Sequence, residues 1–218
     1  MKSPVPILAQ APRRTRRKQA RPGELLAAAL ALFVEKGFAA TRVEEVAARA
    51  GVSKSTLFLY FPSKQDLFKA VVHENAARHL DDAGRELDGF TGSSAELLRT
   101  FLQRWWAQYG STPAAGLTKL IASEAANFPE LAQFHQDRVV RPAHELVRRI
   151  VQRGIDRGEF RPVDVPGVVF LVVAPLAQLV MWRYAHGGCA PAPELHAPDL
   201  LAQHGDMLVR ALRAPRSA

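Results

Sequence analysis

Two short helical patterns joined by a glycine turn constrain the fold of this chain most strongly. Small apolar residues recur at helical spacing over residues 41–50, and a second short pattern covers residues 54–60. Between them, Gly51 tolerates the left-handed backbone that ends a helix, and Ser53 is a favourable cap for the next one. This order of elements is the helix-turn-helix layout, whose second helix enters the major groove of DNA. The segment therefore predicts a unit that can read a duplex.

Helical patterns flank this unit on both sides. Upstream, Pro22 suits the first turn of a helix and Gly37 suits its end. Thr41 and Glu44 have the spacing of a capping box, in which each side chain satisfies a backbone N–H of the other residue. Downstream, Ser63 can cap a further helix with an apolar face. The pattern predicts a small bundle of short helices.

The positive charge of the chain is concentrated at its beginning. Lys and Arg number 29 against 21 Asp and Glu, and residues 1–22 hold seven basic side chains and no acidic one. Residues 23–72 carry six basic and five acidic groups, and residues 73–218 carry sixteen of each. A basic arm flanked by prolines is expected to be disordered on its own and attracted to polyanions. It either contacts nucleic acid or serves only as a solubilising tail.

The composition also excludes several classes of protein. A chain of 218 residues with 48% hydrophobic side chains is long enough to bury a core. Its single cysteine, Cys189, rules out an internal disulfide framework and suits a reducing compartment. That thiol would either bridge two subunits or stay inert. No apolar run has the length of a membrane span or the form of a secretory leader, so we expect a soluble cytoplasmic protein.

Signatures of catalysis and metal binding are missing from the sequence. It contains no Gly-rich phosphate loop and no Gly-x-Ser-x-Gly nucleophile motif. Its seven histidines lack the paired spacing of metal ligands. We therefore expect no enzymatic activity, no cofactor and no metal site.

The remainder of the chain is helical by its periodicity. Ser94 can cap a helix that has apolar residues on more than one face and is expected to be largely buried. A longer helix is predicted to kink near Pro142. Residues 168–182 are apolar nearly all round, and the last helix, residues 199–212, has one apolar face. The fold class is therefore all-α.

Residues 25–72 closely resemble the DNA-binding domain of TetR-type (TetR/AcrR-like) regulators. The resemblance is carried above all by residues 41–68, which read TRVEEVAARAGVSKSTLFLYFPSKQDLF. It implies a DNA-binding domain at residues 23–72 that follows the basic arm of residues 1–22. It also implies a larger helical domain for ligand binding and dimerisation at residues 73–218.

The resemblance further implies a ligand-responsive transcriptional regulator, above all a repressor. Such a protein binds a palindromic operator as a homodimer and is released by a small-molecule effector. The two C-terminal helices would form a four-helix bundle across the two-fold axis. A ligand-independent DNA-binding or architectural protein is the alternative, and an enzyme is disfavoured by the missing motifs.

The DNA contacts of the family can be carried over to matching positions. The start of the second helix is expected at a phosphate, the start of the third in the major groove, and the residues that follow at flanking phosphates. The expected set is Thr41, Arg42, Ser53, Lys54, Ser55, Thr56, Phe58, Tyr60 and Lys64. Phe58 and Leu59 depart from the Tyr-His or Tyr-Arg frequent in the family, and the Phe58 ring could pack on a thymine methyl. Structural alternatives are that Thr41 only caps its helix, Tyr60 is a core residue and Lys64 is an ordinary solvated residue.

An effector pocket is expected among the aromatic residues of the C-terminal part, because ligand sites are mostly apolar with few polar groups. The expected set is Phe101, Trp105, Trp106, Tyr109, Glu124, Phe128, Phe134, His135, Phe170 and Gln178. Its three polar members, Glu124, His135 and Gln178, could orient a ligand. Plain packing or solvent exposure is the alternative for each residue. The set favours an aromatic or apolar effector.

Overall fold

Helices account for most of the chain that the computed structural model describes, which is residues 22–185 and 196–214. Among these residues the only strand-like pairing is an isolated antiparallel bridge between Phe160 and Arg213. The expected all-α fold is confirmed. Most of the basic arm and Cys189 lie outside the described residues.

Four helices form the N-terminal part of the fold. They are α1 (Pro22–Lys36), α2 (Val43–Arg49), α3 (Lys54–Tyr60) and α4 (Lys64–Val72). The side chains of Ser53 and Ser63 accept hydrogen bonds from the backbone N–H groups three residues on, so both predicted caps are confirmed. Gly37 and Gly51 have φ angles of 87° and 71°, which explains why each turn has glycine.

The capping box expected at the start of α2 is not formed. Arg42 is the N-cap residue, and its side chain makes no capping hydrogen bond. The Thr41 side chain is 1% exposed, with its hydroxyl oxygen 2.7 Å from the carbonyl oxygen of Gly37 and 3.1 Å from that of Leu32. Glu44 instead pairs with Lys54. The Thr41 side chain therefore fastens α2 to the end of α1 and is not presented at the surface for a phosphate.

Seven further helices make up the rest of the described chain. They are α5 (Arg78–Gly89), α6 (Ser94–Trp105), α7 (Gly116–Glu124), α8 (Pro129–His135), α9 (Arg141–Asp156), α10 (Val165–Ala185) and α11 (Ala197–Leu212). A short 3-10 helix, Pro113–Ala115, precedes α7. The predicted cap of α6 is displaced by one residue, because Ser93 and Glu96 form the capping box there.

Three π-helical turns interrupt these helices. His73–Ala77 joins α4 to α5, Trp106–Gly110 extends α6, and Gln136–Val140 joins α8 to α9. The stretch predicted as one long helix with a kink near Pro142 is divided by the last of these turns, and Pro142 lies in the first turn of α9. Each π turn changes the direction in which the following side chains point.

Two large apolar cores hold the fold together. The first packs α1 to α4 against α7 and α8, and contains the ring contacts of Phe38 with Phe33, Phe68 and Phe128. The second lies between α6, α9, α10 and α11. Since the first core includes residues of α7 and α8, the N-terminal helices share their interior with the C-terminal part.

Helix α10 is the most apolar helix of the described chain. Its segment Val165–Tyr184 is long and apolar enough to cross a membrane by length and composition alone. Val172 and Val180 are buried in the protein, whereas Phe170 and Leu171 are exposed. On the neighbouring helix α11, Met207 is exposed as well. The two helices therefore carry apolar side chains that other parts of the described chain do not cover.

Candidate DNA-binding surface and ligand cavity

Helix α3 is anchored by a single side chain. Leu57 is its buried residue and belongs to the first core, whereas Lys54, Ser55, Leu59 and Tyr60 are exposed. A short helix with one apolar anchor presents most of its circumference to solvent. This geometry allows α3 to enter a groove of the width of the DNA major groove.

The N-terminal end of α3 presents a cluster of three hydroxyl groups. The Ser53 hydroxyl lies 2.9 Å from that of Ser55 and 2.8 Å from that of Thr56. Ser53 also accepts a hydrogen bond from the Thr56 backbone N–H at 3.1 Å. Hydroxyl groups both donate and accept, so they suit base edges and phosphate oxygens alike.

Lys54 lies beside this cluster and is held by two neighbours. Its Nζ atom is 2.6 Å from the Glu44 carboxylate and 5.6 Å from the centre of the Phe58 ring. The hydrogen bond from Lys54 holds the pKa of Glu44 below its usual value. Glu44 therefore stays charged near the N-terminal end of α3, and a phosphate approaching Lys54 has to compete with it.

Arg42 and Tyr60 lie on either side of this surface in the sequence and are both exposed. The Tyr60 side chain is 39% exposed and its ring contacts Phe61 at a centroid distance of 6.5 Å. The alternative that Tyr60 is a core residue is therefore wrong. Its hydroxyl group is available at the end of α3 for a phosphate oxygen.

Lys64 is more enclosed than a solvated surface lysine. Its Nζ donates a hydrogen bond of 3.1 Å to the carbonyl of Ala39 and lies 4.5 Å from the centre of the Phe38 ring. Burial lowers the pKa of Lys64, and the nearby Glu124 carboxylate partly offsets this. Lys64 thus ties α4 to the loop between α1 and α2.

A separate cavity of about 140 Å³ lies among α5, α6 and α9. Its walls are mostly apolar and include Leu87, Phe90, Phe101, Leu146 and Ile150. A cavity of about this volume can accept a benzene-sized apolar ligand. The cavity is therefore a place in the described chain where a small apolar group can bind.

Polar side chains line part of the cavity. They come from α5, α6 and the π turn after α6, and are His79, Asp82, Glu86, Thr100, Arg104 and Gln108. Arg104 and Glu86 form an ion pair, and both side chains are about half exposed. Because the pair is exposed, it marks the solvent side of the cavity and offers both charge signs to a ligand.

Three of the expected effector residues line this cavity, namely Phe101, Trp105 and Tyr109. Burial raises the pKa of Tyr109 to about 12, and its hydroxyl group is hydrogen-bonded to that of Thr118 at 2.8 Å. Tyr109 is therefore a neutral wall residue whose polar group already has a partner.

The other expected effector residues lie outside this cavity. Trp106 packs at the edge of the second core, whereas Phe128 and Phe134 pack against the first. Phe170 and Gln178 are exposed on α10. The structure thus separates side chains that the sequence placed in one pocket, because they belong to helices packed in different cores.

Glu124 lies at the boundary between the N-terminal helices and the rest of the fold. Its two carboxylate oxygens accept hydrogen bonds from the backbone N–H groups of Phe38 at 2.7 Å and Ala39 at 3.0 Å. A Cβ atom on Gly37 would lie 2.6 Å from the carboxylate, so the contact requires glycine there. Glu124 therefore bonds the loop before α2 and does not face the cavity.

His135, at the end of α8, is buried and its Nε2 atom has no hydrogen-bond partner within the described structure. Burial lowers its pKa to about 4. Because the unfolded chain binds this proton near pH 6.5 and the folded chain only near pH 4, acidification between these values favours unfolding. We expect the burial of His135 to make the free energy of unfolding about 2 kcal/mol lower at pH 5 than at pH 7.

Chemical denaturation of the wild type and His135→Leu at both pH values measures this cost. Between pH 7 and pH 5, the free energy of unfolding of the wild type is expected to fall by about 2 kcal/mol more than that of His135→Leu. His73→Leu is the matched control, because His73 is exposed. An equal pH response of wild type and His135→Leu would contradict the assignment.

Several cavity residues were missed in the sequence, although a signal for them exists. On α5 and just before and after it, lining residues recur as Ala76, His79, Leu80, Ala83, Leu87 and Phe90. These positions lie on one face of a helix. Charged residues lie between them in the sequence, so the periodic pattern of that face is hard to recognise. Among the described residues, no three His, Cys, Asp or Glu side chains come together as metal ligands.

A helix-turn-helix unit that shares a core with a helical body containing a cavity defines the class of helical helix-turn-helix proteins with a ligand-sized cavity. Comparison with known proteins identifies the family. Residues 25–71 match the family model of bacterial regulatory proteins of the tetR family, and residues 90–194 match the tetracyclin repressor-like C-terminal domain. The chain belongs to the TetR family of transcriptional regulators.

Individual relatives agree with this assignment. The uncharacterized HTH-type transcriptional regulator YfiR of Bacillus subtilis is 30% identical over 159 residues, covering 67% of this chain and 71% of YfiR. The fatty acid degradation regulator FadR of Bacillus halodurans has a similar fold, with a TM-score of 0.71 and 20% identity over 89% of this chain and 97% of FadR. FadR of Bacillus subtilis in complex with stearoyl-CoA has a TM-score of 0.69 at 16% identity, covering 88% and 100% of the two chains.

Proposed function

We propose that this protein is a ligand-responsive repressor that binds a palindromic operator as a homodimer and leaves it when a small molecule occupies the cavity. The observation that carries the proposal is a solvent-facing α3 that shares a core with the helices of the ligand-binding part. The chain is proposed to act in the cytoplasm, with residues 1–22 as a basic arm, 23–72 as the DNA-binding domain and 73–218 as the effector and dimerisation domain.

DNA binding is proposed to involve the exposed side of α3 and its neighbours. The hydroxyl groups of Ser53, Ser55 and Thr56, with Lys54, would face the major groove. Arg42, Tyr60 and Lys64 would contact phosphates on the flanks, and Phe58 would support Lys54. Thr41 supports this surface from beneath, because its hydroxyl group binds backbone carbonyls of α1 and the following turn.

Dimerisation is proposed to cover the exposed apolar side chains of α10 and α11. Phe170 and Leu171 on α10 and Met207 on α11 would pack against the same residues of a second subunit in a four-helix bundle. An interface of this kind accounts for the apolar length of α10 without a membrane, since a two-fold contact buries the same patch on both subunits.

The effector is proposed to be a small molecule with an aromatic or apolar body. Apolar walls and an ion pair on the solvent side support this class of ligand. The complex of Bacillus subtilis FadR with stearoyl-CoA agrees with it, because an acyl chain is an apolar body. Ligand-dependent release requires a change in the spacing of the two α3 helices, which must reach successive major grooves about 34–36 Å apart.

A footprint of the purified protein on DNA flanking its own gene tests the proposal. We expect protection of a two-fold symmetric site at near-physiological salt, and loss of protection with Lys54→Ala at the same protein concentration. Glu130→Ala, which changes an exposed residue of α8, serves as the control variant. Protection without sequence preference would instead favour an architectural DNA-binding protein, and no protection at any salt concentration would overturn DNA binding at this locus.

The basic arm is expected to steepen the salt dependence of operator binding. Each phosphate neutralised by a cation contributes about −0.9 to the slope of log affinity against log salt. Deleting residues 1–21, which contain seven Lys and Arg, should therefore make the slope shallower by several units. A chain with the four arginines of residues 13–17 replaced by lysine keeps the charge and should keep the slope. An unchanged slope after deletion would show that the arm has no DNA contact.

A further inference from the structure

Leu59 is the most exposed large apolar side chain of the described chain, with 84% of its surface accessible. It lies on α3, the helix whose remaining exposed residues are polar apart from Tyr60. Nothing in the described structure packs over this side chain. At this position, α3 therefore presents an apolar side chain that is free to contact a partner.

The position of Leu59 around α3 shows which part of a groove it would face. At about 100° per residue, Ser55 and Leu59 both lie about 160° from the buried anchor Leu57, on either side of the direction opposite to it. They are one turn apart on the same face. When α3 enters a groove with Leu57 toward the protein, these two side chains point toward the floor of the groove.

The other exposed residues of α3 lie on its two flanks. Lys54 and Phe58 share one flank, at about 60° and 100° from Leu57, and Thr56 and Tyr60 share the other. Phe58 is only partly exposed and Lys54 lies over its ring at 5.6 Å. Phe58 is therefore directed toward a groove wall, which makes it a weaker candidate for contact with a base than Leu59.

A leucine at the groove floor can recognise one kind of base feature. It has no hydrogen-bond donor or acceptor, and the apolar group displayed in the major groove is the C5-methyl of thymine. Resting on the proposed function of operator binding, we infer that Leu59 determines specificity by packing on a thymine methyl group in each operator half-site. Ser55, one turn away, would contact the adjacent base edge.

Uracil substitution tests this inference, because deoxyuridine lacks only the methyl group. The full-length protein is first used to select a duplex from a random-sequence pool. Affinities are then measured for the selected duplex and for versions with deoxyuridine in place of each symmetric pair of thymines. For the wild type, we expect a loss of about fourfold per half-site, and about 15-fold for the pair, at one thymine position.

Substitutions at Leu59 identify the side chain that reads the methyl group. Leu59→Ala should bind the thymine and uracil duplexes equally, whereas Leu59→Met should keep the discrimination. Phe58→Ala should also keep it at this thymine position, whatever it does to affinity overall. Because Leu59 is almost fully exposed, its variants are expected to melt at the wild-type temperature.

The outcomes separate this inference from the proposed function. A pool that yields no enriched sequence overturns both. A palindromic site whose thymine discrimination survives Leu59→Ala, or disappears with Phe58→Ala instead, overturns the inference and leaves the proposed function standing. A selected half-site without an invariant thymine overturns the inference as well.

Discussion

Gly154→Ala is expected to lower the free energy of unfolding by about 1–2 kcal/mol, although alanine is the better helix former. A Cβ atom at this position of α9 would lie 2.1 Å from the Phe160 ring, and Phe160 is only 3% exposed. Alanine gains about 1 kcal/mol in helix propensity. Moving a buried ring out of a packed core costs more than that, so the crowding decides the sign.

The expected loss extends beyond α9, because the Phe160 region holds the last helix. The backbone N–H of Phe160 donates to the Gly154 carbonyl, and that of Arg161 donates to the Leu212 carbonyl at 2.8 Å. Displacing Phe160 therefore loosens the end of α11. Hydrogen exchange in α11 should be faster in Gly154→Ala than in the wild type.

Gly84→Ala provides the matched control for this prediction. Gly84 is also inside a helix, α5, but a Cβ atom there has no neighbour within 4 Å. Alanine should raise stability by up to about 1 kcal/mol at this position. Urea denaturation of the wild type, Gly154→Ala and Gly84→Ala gives the comparison. A change of stability in the same direction in both variants would contradict the role of Phe160.

Local signals in the sequence were sufficient for the helix-turn-helix unit. Ser53, Ser63, Gly37 and Gly51 act on backbone groups within a few residues of themselves, so their roles can be predicted without knowing the fold. Thr41 shows the limit of such signals. Its hydroxyl group binds the Leu32 carbonyl nine residues upstream, and this packing replaced the predicted capping box with Glu44.

The cavity was harder to predict because its walls come from helices that are far apart in the sequence. α6 supplies Phe101 and Trp105 and α9 supplies Leu146, and only the fold brings these side chains together. Phe128 and Phe134 have the composition of ligand-site residues. Their helix region packs against α1 and α4, however, and only the three-dimensional fold reveals that contact.

Glu124 is the second position where a large effect is expected, because it bonds two regions that are far apart in the sequence. Its carboxylate accepts the N–H groups of Phe38 and Ala39, and Lys64 donates to the Ala39 carbonyl at 3.1 Å. The loop before α2 is thus held by α7 on one side and by α4 on the other. We therefore expect a movement of α7 to reach, through these bonds, the segment that positions α2 and α3.

Glu124→Ala is expected to lower the free energy of unfolding by about 3 kcal/mol. Two charge-assisted hydrogen bonds are lost, and the partly buried N–H of Phe38 is left without an acceptor. Glu124→Gln keeps one acceptor oxygen but directs an NH₂ group at the other N–H, so it should lose about half as much. Glu130→Ala, on the exposed surface of α8, should stay within about 0.5 kcal/mol of the wild type.

Operator affinity distinguishes a coupling role of Glu124 from a purely stabilising one. Contacts that link two sites change their coupling by about 0.5–2 kcal/mol, which corresponds to roughly 2- to 30-fold in affinity. We expect Glu124→Gln to bind the operator several-fold more weakly than the wild type at a temperature where both are fully folded. Gly84→Ala and Glu130→Ala should bind normally under the same conditions. If Glu124→Gln loses stability but retains wild-type affinity, the loop contact stabilises the fold without positioning α3, and the proposed coupling of the cavity to DNA would have to run through the shared core of α1, α4, α7 and α8.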